Sequence, residues 1–310
     1  MVFWRLNRMS SQGNGRVLLP LDVTHPTKDL AERLEQILPL KGVKAHLLSV
    51  REELPSYERL LSTVADFPED LPHAFETKAK KVLDGVAQSF EKLGAEVTQE
   101  LVAGPTVAMI EKVAKDENFS FTALAPGAHS RVELFFLGST TLRVAKHCPG
   151  MVLVLRNSQD PGALETVVFG LDGSENAKTA MIEAIEKFKL AERGVKIVLC
   201  SISFVPTALT FVSPVEFIAA IESNANLAAE TILADSEKAA CDYGIKQENI
   251  ELMMRHGDPS NELLQACKAR RAGLLVIGAQ GHSAVEHFFL GSVSQRAVMH
   301  APCPVAVVRV

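Results

Sequence analysis

The feature that most constrains this chain is an internal repeat. The stretch GAQGHSAVEHFFLGS at residues 278–292 has an ungapped counterpart, APGAHSRVELFFLGS, at residues 125–139, and nine of the fifteen positions are identical. The offset of 153 residues is about half of the 310-residue chain, so the sequence predicts two copies of one unit, each long enough to bury its own core. We place the domains at 1–158 and 159–310. The polar segment NSQDPGA at 157–163 reads as the linker between them.

Each half repeats one order of elements. A β-branched run ending in Leu-Asp comes first, RVLLPLD to Asp22 and TVVFGLD to Asp172. Helical patterns over 27–38 and 175–192 follow, then second strands over 44–50 and 195–202. Long helices over about 74–93 and 224–243 each stop at a glycine, Gly94 and Gly244, suited to a left-handed cap. A third strand leads to Gly104-Pro105 or Gly257-Asp258-Pro259, where proline suits the opening of a helix. A fourth strand, the repeated loop, a last helix and a final strand (151–156 and 304–310) complete each unit. Strands alternating with helices imply α/β architecture with two doubly wound, parallel five-stranded sheets, and the near-continuous apolar strands fit burial on both faces. The two final strands are apolar and would be bare edges, so we expect the halves to pair through them as an internal pseudo-dimer.

Composition removes several classes of function. The formal net charge is −5, and such a surface is unsuited to non-specific binding of nucleic acid. The longest apolar runs, such as 274–277 and 305–308, are far short of a membrane span, and the start MVFWRLNRMSSQGNG lacks a full signal-peptide core, so a cytoplasmic protein is expected. The cysteines, Cys148, Cys200, Cys241, Cys267 and Cys303, have no CxxC spacing and read as reduced, mostly core residues with no metal site.

The repeated loop carries the chemistry. In the second half Gly278, Gly281 and Gly291 precede Ser292, between a buried strand and a helix. Glycine there lets backbone N–H groups approach a phosphate, the helix start adds its unpaired N–H groups, and Ser292 and Ser294 offer hydroxyl donors. The competing reading is that the glycines only permit tight turns. In the first half Ala125 and Ala128 replace the first glycine pair, with Pro126 and Gly127 between them, whereas Asp22, Val50, Gly138 and Ser139 remain. Proline has no N–H to offer.

These patterns together resemble the universal stress protein family in tandem form. The resemblance rests on G-x2-G-x9-G-S, GLDGSENA (170–177), GDPSNELLQACK (257–268) and PCPVAVV (302–308), with weaker counterparts PLD (20–22), AGP (103–105) and FFLGST (135–140) in the first half. It implies a Rossmann-like fold of the adenine nucleotide alpha hydrolase type. It further implies ATP, with or without Mg²⁺, in the C-terminal half, with Asp172 and Ile202 toward adenosine and Gly278, Gly281, Gly291, Ser292 and Ser294 toward ribose and phosphates. Family members often carry Asp before the fourth strand, and Gly273 stands there instead.

Rival functions have less support. No Gly-Lys dipeptide occurs, hence no Walker-type phosphate loop, and no catalytic residue is identified, so at most weak ATP hydrolysis is expected. His129 and His282, like Glu133 and Glu286, occur in both halves and read as structural or solvated. The insert at 203–223 is strongly apolar where its counterpart at 52–75 is charged. Phe204, Leu209, Phe211, Phe217, Ile218 and Ile221 pack within the chain, meet a lipid-like ligand, or form a protein or homodimer contact.

Overall fold

The computed structural model describes residues 15–24, 26–27, 29–52, 71–116, 119–125, 139–156, 164–206, 214–281 and 290–309. The linker and most of both repeated loops, including Ala128, His129, Glu133, Gly138, His282 and Glu286, lie outside these residues.

The strands are β1 Arg16–Leu21, β2 Lys44–Arg51, β3 Glu96–Ala103, β4 Phe121–Leu124 and β5 Met151–Val154 in the first half. The second half supplies β6 Thr166–Leu171, β7 Lys196–Ser203, β8 Ile250–His256, β9 Leu274–Gly278 and β10 Val305–Val308. Their order is β3-β2-β1-β4-β5-β10-β9-β6-β7-β8, a single ten-stranded sheet. Each half is parallel within itself, as expected. The join is antiparallel, with Val305 opposite Val154 and Val308 opposite Met151. The two apolar edges cover each other, which is why two five-stranded sheets merge into one.

Helices cover both faces. On one lie α1 Leu30–Ile37, α2 Leu71–Lys92, α5 Glu175–Lys187, α6 Leu190–Arg193 and α7 Val215–Asp242; on the other lie α3 Thr106–Asp116, α4 Ser139–His147, α8 Pro259–Ala269 and α9 Ser292–His300. Strand residues alternate between the two cores: Val167 and Phe169 face the first, Val168 the second, and all three are buried. Each core runs through both halves, so neither half buries its apolar surface alone. The Phe121 and Phe188 rings meet edge to face across the boundary, their centroids 5.8 Å apart.

Several element ends differ by a few residues from the sequence expectation, the first helix running over Leu30–Ile37 rather than 27–38, and two differences are larger. The helix expected over 175–192 is broken at Lys189, whose φ is +52°. Phe188 and Leu190 are both fully buried, and a continuous helix would point them to opposite sides, so the break lets both enter the core. The long helix expected from 224 starts at Val215 after Pro214, which suits a helix entry. Its apolar, alanine-containing first turns obscured the start. Gly94 and Gly244 cap their helices with φ of +85° and +88°, as expected. In both caps the next N–H bonds back to the helix, Ala95 to Phe90 O at 3.1 Å and Ile245 to Ala240 O at 3.1 Å.

Candidate functional site

In the second half β6 has β7 on one side and β9 on the other, so strand order reverses at β6. Ligands of doubly wound sheets lie in the crevice outside the carboxyl ends at such a point. Asp172 directly follows β6. Leu171 pairs with Ser201, and one further step of that register sets Asp172 beside Ile202, which is half-buried and packs on the second core.

The exposed Asp172 carboxylate is held by a local turn. Its Oδ1 accepts from the Ser174 N–H at 3.0 Å and from the Ser174 hydroxyl at 2.6 Å. Ser174 Oγ in turn accepts from Ala177 N at 3.2 Å and caps α5. The first half repeats the arrangement, Asp22 Oδ1 accepting from Thr24 N at 2.9 Å and from the Thr24 hydroxyl. The turn is therefore a property of the repeat. What differs between halves is the sequence after the fourth strand, Ala125 standing where the second half has Gly278.

The three glycines have three different surroundings. A Cβ on Gly278 would stand 3.2 Å from Ala177 N, against the first turn of α5, so this glycine serves close helix packing. A Cβ on Gly281 would fall 2.3 Å from Asp172 Oδ2. Any side chain there would displace the carboxylate or the loop. Gly291 has φ −58°, open to any residue, and a Cβ would meet nothing nearer than Ala279 O at 3.5 Å. Neither backbone strain nor packing explains it. The backbone there would accept a side chain without a clash.

Two bonds clasp the loop ends. Gly291 N donates to Ala279 O at 2.8 Å, and the buried Ser294 hydroxyl donates to Gly278 O at 2.7 Å. The proton of Ser294 is thus engaged inside the protein, so this residue positions the start of α9 and leaves the hydroxyl of the exposed Ser292 as the outward donor. Gly291 is the N-cap of α9 and supplies no side-chain cap, and the first turn contains no acidic residue. By contrast, Ser174 caps α5 and Asp258 caps α8, accepting from Asn261 N at 2.9 Å. The N–H groups and positive dipole end of α9 are left without such a competitor.

Sequence reasoning passed over Ser174 and Asn176. Asn176 Nδ2 reaches Gln280 O at 3.4 Å, tying α5 to the glycine loop. A serine just before a helical pattern is a cap signal and could have marked Ser174; nothing local marks Asn176. In the first half, Asp22, Pro26, Val86 and Ala125 line a cavity of about 20 Å³, room for one water. Ala125 packs against the first core.

A parallel five-stranded α/β unit, doubled in one sheet and carrying a glycine-containing loop at its switch point, defines a protein of the doubly wound, Rossmann-like class. Comparison with known proteins gives the family. The Universal stress protein family matches twice, over residues 13–156 and 164–309, and the chain belongs to it as a tandem member. Universal stress protein YxiE of Bacillus subtilis is 26% identical over 147 residues, covering 46% of this chain and 97% of that protein. A universal stress protein of Thermus aquaticus is 32% identical over 145 residues, 47% of this chain and 98% of its own. Among solved structures, a universal stress protein from Archaeoglobus fulgidus covers 96% of this chain and 98% of its own, with a TM-score of 0.63 and 22% identity.

Proposed function

We propose that the protein is a nucleotide-binding stress-response regulator that takes one ATP per chain, in the C-terminal half, and is not an efficient enzyme. The observation that carries this reading is the contact between Gly281 and Asp172. The loop backbone comes so near the carboxylate that a Cβ on Gly281 would displace it, at the switch point and beside a helix start whose N-cap residue offers no side chain. The residues therefore suit a phosphorylated ligand with a polar, ribose-bearing part.

In this reading Asp172 and Ile202 border the adenosine, the loop backbone near Gly281 and Gly291 meets the phosphates, and Ser292 adds a hydroxyl donor. Gly278 and Ser294 shape the loop from within. ATP would supply a bound, removable negative charge as a regulatory signal. Among the described residues no group of three or more His, Cys, Asp or Glu is placed to hold a metal ion. A companion Mg²⁺ would be carried mainly by the phosphates. Among the described residues no helix is long and apolar enough to cross a membrane. We place the protein in the cytoplasm, where ATP is available.

Titration calorimetry with ATP, ADP, AMP and adenosine tests the proposal, together with mass spectrometry of any small molecule that co-purifies. One ATP per chain, lost in Gly281→Val, is the expected result. Two equal sites, or no nucleotide binding by the intact chain, would overturn it.

A further inference from the structure

The second half carries an apolar face that its own core does not use. α7 starts at Val215, yet from Phe217 onward the first buried residue is Ala229. The fourteen residues before it make roughly 21 Å of helix. On this overhang Phe217 is 63% exposed and Leu227 62%, and Phe204, just past β7, is 43% exposed. Leu209 and Phe211 lie outside the described residues, and packing among the described residues leaves Phe204, Phe217 and Leu227 exposed. Large apolar side chains left exposed on one helix and on the segment leading to it suit an interaction surface.

Charge narrows what can cover it. From Ser203 to Glu237 the sequence has no Lys, Arg or His, whereas Glu216, Glu222, Glu230, Asp235 and Glu237 are acidic. Such a face repels its own copy. It attracts a segment that is apolar and cationic.

The chain contains such a segment. Residues 1–14, MVFWRLNRMSSQGN, combine Phe3, Trp4, Leu6 and Met9 with Arg5 and Arg8 and have no acidic residue. The topology roots the segment at the right edge. Because β5 and β10 are antiparallel, the amino end of β1 lies along the same sheet edge as the carboxyl end of β7, from which the chain passes to α7. Six strand steps separate β1 from β7, about 29 Å at about 4.8 Å each. The eleven residue steps from Trp4 to Gly15 extend to about 36 Å.

We propose that residues 1–14 dock in cis on the α7 overhang, with Phe3 and Trp4 against the Phe217–Leu227 stretch and Arg5 and Arg8 toward its acidic residues. The occupant is this chain's own N-terminal segment.

Trp4 is the single tryptophan of the chain, so its fluorescence reads the docking directly. In the native protein its emission should be blue-shifted from that of the urea-unfolded chain, at every protein concentration. Phe217→Asp, and separately the pair Arg5→Glu and Arg8→Glu, should each return emission to the unfolded position while circular dichroism stays unchanged. Deleting residues 10–13 should do the same, since the span falls to about 23 Å. If Phe217→Asp fails to fold, the arginine variants and the deletion decide. Native emission already at the unfolded position would overturn the proposal. So would a blue shift that survives the charge reversal, meaning burial elsewhere, or one that is lost on dilution or survives the deletion, meaning docking on a second copy.

Discussion

Arg156 and Arg309 occupy equivalent positions in the two halves, and each reaches across to the last helix of the other. Arg156 Nη2 donates to Val298 O near the end of α9, and Arg309 Nη2 donates to Lys146 O at 2.6 Å at the end of α4. A cation on the last carbonyls of a helix satisfies orphan acceptors and meets the negative dipole end. A third arginine, Arg193, crosses the same boundary from α6 and donates to Gln36 O at 2.9 Å in α1. The halves are thus held by apolar strands in the sheet and by guanidinium groups at helix ends.

Arg309→Met should therefore destabilise the whole chain, keeping the apolar stem and removing the donors. The expected loss is about 1.5–3 kcal/mol, the range for bonds to a charged group. Urea unfolding monitored by circular dichroism measures it. An unchanged midpoint would mean that the strand pairing alone holds the halves.

Residues 1–158 expressed alone should associate. Without the second half, Met151–Val154 loses its antiparallel partner and becomes an open, apolar sheet edge. Sedimentation should show dimers or larger species, and a monomeric, soluble fragment would contradict this role for the junction.

In the loop, Gly281→Ala should reduce ATP affinity at least tenfold, about 1.4 kcal/mol, because the added methyl contends with the Asp172 carboxylate. Ala128→Gly alone should create no second site, since Ala125 still stands where Gly278 does in the other half. Asp172→Ala should weaken ATP and AMP alike, whereas Ser292→Ala should weaken ATP more than adenosine. Calorimetry separates these outcomes.

Thiol reagents should find one fast cysteine. Cys241 is exposed, while Cys148, Cys200, Cys267 and Cys303 are buried. Burial pushes the Cys148 and Cys200 thiols up to about 12, far from the reactive thiolate. One equivalent should react quickly in the native state and four only on unfolding, with Cys241→Ser removing the fast phase.

The ion triad at the β7–β8 edge should appear as an acid-side stability term. Glu251 accepts from Arg270 Nε at 2.7 Å and pairs with Lys196 Nζ at 2.9 Å. Chiefly through the Arg270 bond, its carboxyl is held below the usual value. The folded value lies below the unfolded one, so the contribution is complete above about pH 5 and is lost as the pH falls through the folded value. Solvent screening keeps it small. Glu251→Gln should flatten the decline in stability between about pH 5 and 3, and an unchanged profile would show that the triad is inert.

How much was legible in the sequence depends on the range of the interaction. Helix ends at Gly94 and Gly244 were legible, because only a residue free of Cβ strain takes φ near +85° readily there. The break at Lys189 was not, because it answers to Phe188 and Leu190 both entering a core built by distant elements. Gly278, Gly281 and Gly291 look alike as letters. Only placement against Ala177, against Asp172 and where no clash arises separates them. Ser294 likewise reads as a donor until the fold turns its hydroxyl onto Gly278 O.

The sequence alone determined that there are two copies of an α/β unit, the order of their elements, and which copy kept its glycines, because repeat identity, apolar periodicity and glycine content are local and linear. That the halves pair through β5 and β10 was expected from two apolar strands that would otherwise be bare edges; the tertiary structure decided the register of that pairing, with Val305 opposite Val154, because it depends on two edges meeting across the chain. It also decided that an arginine of each half caps the other, and that the start of α7 projects beyond the core. The strand register and the arginine caps follow from contacts between residues about 140 to 160 positions apart, and no short window of the sequence contains both partners.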